Sequence, residues 1–83
     1  MNKKVRQEIL NLSQAIFDDA EYSTIVLLLN TERLNQLRVF VNEKLEFMEA
    51  LFHLQKNDEV LRTQIELCDK LENIVIDAFL EIA

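Results

Sequence analysis

Apolar side chains recur along most of the chain at steps of three and four residues, which is the period of an α-helix. A first helical segment begins near Lys3. Its apolar stripe consists of Val5, Ile9, Leu12 and Ile16. The pattern fades before Ser23, and either Asp19 or Ser23 is expected to cap a new helix there. In the alternative, one kinked helix continues to Leu29 and breaks directly after it.

Two longer helical segments follow, at about residues 31–56 and 58–82. Asn57 or Asp58 is expected to cap the last one, because a short polar side chain satisfies the free amides of a first helical turn. The stripe of the second segment consists of Leu34, Leu37, Val41, Leu45, Met48 and Phe52. The stripe of the third consists of Leu61, Ile65, Cys68, Val75, Phe79 and Ile82. Since a short connection joins segments of similar length, they are predicted to form an antiparallel hairpin.

These segments predict a single all-α domain over residues 1–83. Its architecture is an antiparallel helical bundle of three helices, in which an N-terminal helix packs against the long hairpin. If the first segment is broken near residues 19–23, two helices precede the same hairpin. The chain contains no glycine and no proline. This disfavours tight β-hairpins and excludes the phosphate-binding loops that need glycine.

Each hairpin helix carries a second apolar stripe, so that about half of its circumference is apolar. The first segment covers part of this surface. The remainder predicts an interface, either in a homodimer or with a helix of a partner protein. The residues expected at this interface are Phe40, Phe47, Leu51, Leu54, Leu67, Leu71 and Ile74. In the alternative, the first segment covers the whole surface and the chain is a monomer.

The charged residues at the helix ends also favour association. Lys3 and Lys4 lie at the start of a helix, and Asp77 and Glu81 lie near the end of another. Both placements oppose the helix dipole. In a bundle of three helices these ends lie at opposite poles, whereas in an antiparallel dimer they meet.

The charge of the chain limits its partners. The net charge is −6, and nucleic-acid binding is disfavoured because phosphate recognition needs clustered lysine and arginine.

The longest apolar run, residues 25–29, is far shorter than the roughly 20 residues of a membrane span. No secretory signal is visible, so a cytoplasmic location is expected, with Cys68 reduced.

Cys68 and His53 are the one cysteine and the one histidine of the chain. A catalytic pair needs hydrogen-bond contact, but the hairpin separates these residues by about 10 Å along its axis. Cys68 is therefore expected to be a core residue, and no catalytic residue is predicted.

Four carboxylates offer a different chemistry. They are Glu43, Glu46, Glu66 and Asp69, in two pairs whose members are three residues apart. Each pair shares a helix face and presents oxygen ligands suited to Mg²⁺. This ExxE…ExxD arrangement, clearest at residues 45–51 and 66–69, resembles the all-α nucleoside-triphosphate pyrophosphatases, which include MazG-like proteins and phosphoribosyl-ATP pyrophosphatase.

The resemblance extends from residue 43 to about residue 79. It implies an oligomeric helical bundle that binds Mg²⁺ through these carboxylates and cleaves between phosphates. On a helical wheel the carboxylates point away from the core stripes, so the alternative is a solvated face.

The main functional prediction is a non-enzymatic protein–protein interaction module without a cofactor. It would be a small cytoplasmic regulator, inhibitor or chaperone that acts through an apolar helical face. The alternative is a Mg²⁺-dependent pyrophosphatase.

Overall fold

The structure, a computed structural model, describes residues 1–82, with side chains through residue 81. This part of the chain contains no strand, and the all-α prediction is confirmed for it. Its helices are α1 (Lys3–Ile16), α2 (Asp19–Asn30), α3 (Leu34–Leu54) and α4 (Glu59–Ile82). The predicted count of three helices is not confirmed, because the first segment consists of two helices.

The break between α1 and α2 lies at Phe17 and Asp18, which have extended backbone angles. Asp18 caps α2, since its carboxylate accepts a hydrogen bond from the amide of Glu21 at 2.8 Å. The Glu21 carboxylate in turn accepts one from the amide of Asp18 at 3.1 Å. This reciprocal pair is a capping box. The predicted caps, Asp19 and Ser23, are wrong: both residues lie inside α2.

The end of α2 is a Schellman motif without glycine. The amide of Arg33 donates to the carbonyl of Leu28 at 2.9 Å, and the amide of Glu32 donates to that of Leu29 at 3.1 Å. This geometry places Glu32 in the left-handed region, with φ of 55°. A side chain with a Cβ atom is disfavoured there. The connection to α3 therefore contains a residue that glycine would suit better.

Replacing Glu32 with glycine is expected to raise the free energy of unfolding by about 0.5–1 kcal/mol, since it removes the Cβ clash but adds chain entropy. Glu32→Ala, which keeps the Cβ atom, should bring no such gain. Urea denaturation of both variants measures the difference. Equal stability of the two variants would show that the left-handed geometry does not limit stability.

The α3–α4 hairpin is confirmed. Asp58 caps α4 by accepting a hydrogen bond from the amide of Leu61 at 3.0 Å. The thiol of Cys68 lies 3.7 Å from the carbonyl oxygen of Val41. On the neighbouring residue of α3, the side-chain amide of Asn42 donates to a carboxylate oxygen of Glu72 at 2.7 Å. Leu34, at the start of α3, lies beside Phe79 near the end of α4, whereas Val41 lies beside Cys68, so the two helices are antiparallel.

A second antiparallel pair, α1 and α2, lies on one side of this hairpin. In it, α1 packs against α4 and α2 packs against α3. Val5, in the first turn of α1, shares a surface depression with Asp77 and Glu81 at the end of α4. The basic start of α1 and the acidic end of α4 thus lie at the same pole of one chain. The charged helix ends therefore give no argument for a dimer.

The core lies between these two helix pairs. The main stripe of α3 is buried from Leu34 to Met48, and Cys68 and Val75 are buried on α4. Other residues of the predicted stripes are partly buried: Phe52, Leu61, Ile65 and Phe79. The side chain of Ile82 lies outside the described residues. From the second layer, α1 and α2 add Ile9, Ile16, Ile25 and Leu29 to the same cluster.

Candidate interaction surface

α2 covers only the first half of α3. Glu21, in the first turn of α2, lies 3.4 Å from the ammonium nitrogen of Lys44 near the middle of α3. From this point α2 runs back toward the start of α3. In the other direction, α3 continues from Lys44 to Leu54, which is about 15 Å at 1.5 Å per residue. α2 does not extend along this part of α3.

Phe17, in the connection between α1 and α2, covers part of α3. Its ring stacks on Phe40, with 5.6 Å between the ring centroids. The ammonium group of Lys44 lies 5.5 Å from the centre of the Phe17 ring, a cation–π arrangement. Phe17 is buried by these contacts, and Phe40 is half-buried. The second apolar face of α3, which carries Phe40 and Phe47, is thus covered only as far as about Lys44.

Phe47 lies two turns beyond Phe40 on the same face of α3. Its side chain is 60% exposed. Leu51 is half-buried, and Leu54 is the most exposed large apolar residue in the part of the chain that the structure describes. We call the surface formed by Phe47, Leu51 and Leu54 the α3 stripe. This surface is apolar because the apolar periodicity of α3 continues beyond Lys44, the residue beside which α2 begins.

The same end of the bundle leaves an α4 residue uncovered. Val60 and Ala78 are five whole turns apart and face the same direction. Ala78 is 4% exposed and Val60 is 71% exposed. Because the two side chains point in the same direction from α4, the difference in their exposure comes from α1, which packs over Ala78 and leaves most of Val60 free.

A shallow depression of about 250 Å³ adjoins the α3 stripe. It is lined by Phe17, Glu21, Phe40, Glu43, Lys44 and Phe47. Sites for small molecules are usually larger, about 300–1,000 Å³, and enclose most of the ligand. This depression is open to solvent and suits a side chain of another protein.

The predicted interface residues fall into three groups. Phe47 and Leu54 are exposed, as predicted for a contact surface. The half-buried residues are Phe40, Leu51, Leu67 and Ile74. Leu71 is 0% exposed and belongs to the core cluster that also contains Ile9 and Ile16 of α1. Its assignment to an intermolecular surface does not fit this fold. Val60 was not predicted, because no pattern distinguishes it from a covered residue.

The structure does not assemble the four carboxylates of the alternative prediction into a metal site. Within residues 1–82, no group of three or more acidic, histidine or cysteine side chains is arranged to hold a cation. Glu43, Glu46 and Asp69 are exposed. Glu66 is also exposed and lies 3.6 Å from the guanidinium of Arg62. These residues therefore form solvated helix faces.

Cys68 is buried among apolar residues between α3 and α4. Desolvation raises the pKa of its thiol from 9.0 to about 12, and the nearby Glu72 carboxylate adds to the effect. His53 lies on the exposed side of α3. Cys68 is thus a core residue, as expected, and His53 lies at the surface.

We expect native Cys68 to react with a thiol reagent far more slowly than the denatured chain at pH 8, because thiolate is the reactive form. Its raised pKa also affects stability. Above pH 9 the unfolded thiol loses its proton while the folded one keeps it, so stability should fall between pH 9 and about 12. Reagent kinetics with and without urea measure the first effect. Equal rates would place the thiol at the surface.

Comparison with protein-family models, with curated proteins and with solved structures finds no match to this chain. Among the described residues, no helix combines the length and apolar character that a membrane span needs.

Proposed function

We propose that this chain is a non-enzymatic protein–protein interaction module, a small cytoplasmic regulator, inhibitor or chaperone. The α3 stripe carries this proposal. Phe47 and Leu54 are large apolar side chains exposed on one helix face, next to a depression of side-chain size. Contiguous exposed apolar residues typically mark a contact surface, because leaving them in water has a cost that burial removes.

The shape of the surface favours a helical partner. The α3 stripe lies along one helix and extends for about 10 Å. An amphipathic helix laid along it places residues at i, i+3, i+4 and i+7 against the stripe. The occupant is a helix of another protein or a second copy of this chain, which would make a homodimer.

The α3 stripe is tested by Phe47→Ser, with Leu27→Ser as the matched control. Leu27 is 61% exposed, close to the 60% of Phe47, but it lies on α2 outside the stripe. We expect Phe47→Ser to weaken self-association or partner binding by at least about tenfold, as loss of an aromatic anchor does. Leu27→Ser should leave both unchanged.

Sedimentation equilibrium measures self-association, and co-purification from the native host measures partner binding. Circular dichroism checks that both variants keep their helices. Equal behaviour of the two variants in both assays would contradict the proposal. A chain that stays monomeric on dilution and retains no partner would contradict it as well.

A further inference from the structure

The charged residues are unevenly distributed between the two ends of the bundle. Five of the nine basic residues lie where α1 and α3 begin: Lys3, Lys4, Arg6, Arg33 and Arg38. The same end also carries Glu8, Glu32, Asp77 and Glu81. In the other half, from the middle of α3 to the start of α4, carboxylates outnumber lysine and arginine. They include Asp18, Glu21, Glu43, Glu46, Glu49 and Glu59, against Lys44, Lys56 and Arg62. The α3 stripe thus lies at the acidic end of the molecule.

Carboxylates border the α3 stripe directly. Glu43 lies one helical turn before Phe47, and it lines the same depression as Glu21. Among the described residues, Glu43 and Glu46 form no ion pair and are exposed. Lys44, the cation of this depression, is already engaged by Glu21 at 3.4 Å. The free charge beside Phe47 is therefore negative.

We propose that the occupant of the α3 stripe is a basic amphipathic helix of another protein. Its apolar face packs on Phe47, Leu51 and Leu54, and lysine or arginine side chains beside that face meet Glu43 and Glu46. This inference rests on the proposed function and specifies the chemistry of the partner. Complementary charge around an apolar centre speeds encounter and fixes the orientation of the helix.

The same charge distribution disfavours a second copy of the chain as the occupant. A symmetric dimer uses the same patch on both subunits, so it brings two sets of the carboxylates Glu43 and Glu46 into one interface. Placing the stripe of one copy against the opposite end of the next reduces this repulsion, although Asp77 and Glu81 also lie at that end. That contact is head-to-tail, and unless the rotation closes a ring it extends into a filament.

Two labelled synthetic peptides of about 18 residues, long enough to form a helix on binding, test the inference. Both carry leucine at i, i+3, i+4 and i+7, and their flanking residues are lysine in one and glutamate in the other. Fluorescence anisotropy with the full chain measures affinity. We expect the lysine peptide to bind at least about tenfold more tightly, with weaker binding as salt is added.

Protein variants locate the effect. Glu43→Gln combined with Glu46→Gln should weaken binding of the lysine peptide about fivefold, whereas Asp77→Asn combined with Glu81→Gln, at the opposite end, should not. Phe47→Ser should reduce binding further, because it removes the apolar anchor. These results together support the inference.

Other results overturn it, and they separate it from the proposed function. Equal binding of both peptides that depends on Phe47 removes the charge preference and leaves the interaction module. If neither peptide binds, the inference fails. If, in that case, the wild-type chain is a dimer and Phe47→Ser is a monomer, the proposed interaction module stands with a second copy as its occupant. If the wild-type chain is itself a monomer, self-association gives the proposed function no support. Binding that is unaffected by Phe47→Ser overturns both.

Discussion

Replacing Leu71 with alanine is expected to lower the free energy of unfolding by about 2–5 kcal/mol, the usual range for a core leucine. Leu71 is 0% exposed and belongs to the cluster that joins all of the helices. Removing its side chain leaves a cavity between α1 and α4, because the surrounding helices cannot fully close it. In a domain of this size, the midpoint of thermal unfolding should fall by about 4–8 °C per kcal/mol.

Leu80→Ala is the matched control, since it is the same substitution on the same helix. Leu80 is largely exposed, so its replacement should change stability by no more than about 0.5 kcal/mol. Thermal and urea denaturation measure both variants, and sedimentation measures their oligomeric state. If Leu71→Ala disrupted an oligomer and left the stability of the monomer unchanged, Leu71 would be an interface residue, as the sequence alone suggested.

The assignment of Leu71 shows what periodicity determines and what it leaves open. The position of a residue on a helical wheel gives the direction of its side chain, and the second stripes of α3 and α4 were identified correctly in this sense. The direction of a side chain does not show whether another helix covers it. Val60 and Ala78 face the same way but differ in exposure, because the start of α1 packs beside Ala78 and the end of α1, at Ala15, only borders Val60.

The helix ends were predictable where a side chain marks them. Asp58 caps α4 as expected, because a carboxylate followed by a helical pattern is a strong signal. The start of α2 was misplaced at Asp19, although a glutamate three residues later, the sequence signature of a capping box, follows Asp18 and not Asp19. The end of α2, at Asn30, lies where a break was expected, directly after Leu29. Its left-handed residue gave no signal, since that residue is Glu32 and glycine is the residue that marks such a position.

The width of the apolar pattern predicted apolar side chains that the other helices of the chain leave uncovered. Phe47 and Leu54 are such side chains, and their role in an interface stays a prediction. The role of Phe17 did not follow, because the break that releases it from α1 was not located. The spacing of the four carboxylates showed which of them share a helix face. It does not determine the distances between carboxylates on different helices, on which a metal site depends.

Phe17→Ala is the second substitution with a large expected effect. Phe17 is buried, stacks on Phe40 and receives the ammonium of Lys44 over its ring. It joins the α1–α2 pair to the middle of α3. Replacing a buried phenylalanine with alanine lowers the free energy of unfolding by about 3–5 kcal/mol. We expect a loss near the lower limit of about 3 kcal/mol, because one side of the Phe17 site opens to a solvent-filled depression.

Phe47→Ala provides the comparison, since Phe47 lines the same depression from its exposed side. It should cost less than about 1 kcal/mol, because most of its surface is already in water. Binding should show the reverse order, with Phe47→Ala the more damaging substitution once the folded fraction of each variant is taken into account. Urea denaturation and peptide anisotropy measure the two quantities separately. A Phe17→Ala variant as stable as the wild type would mean that the connection between α1 and α2 does not hold α2 against α3. Phe17 would then not explain why the covered part of α3 ends at Lys44.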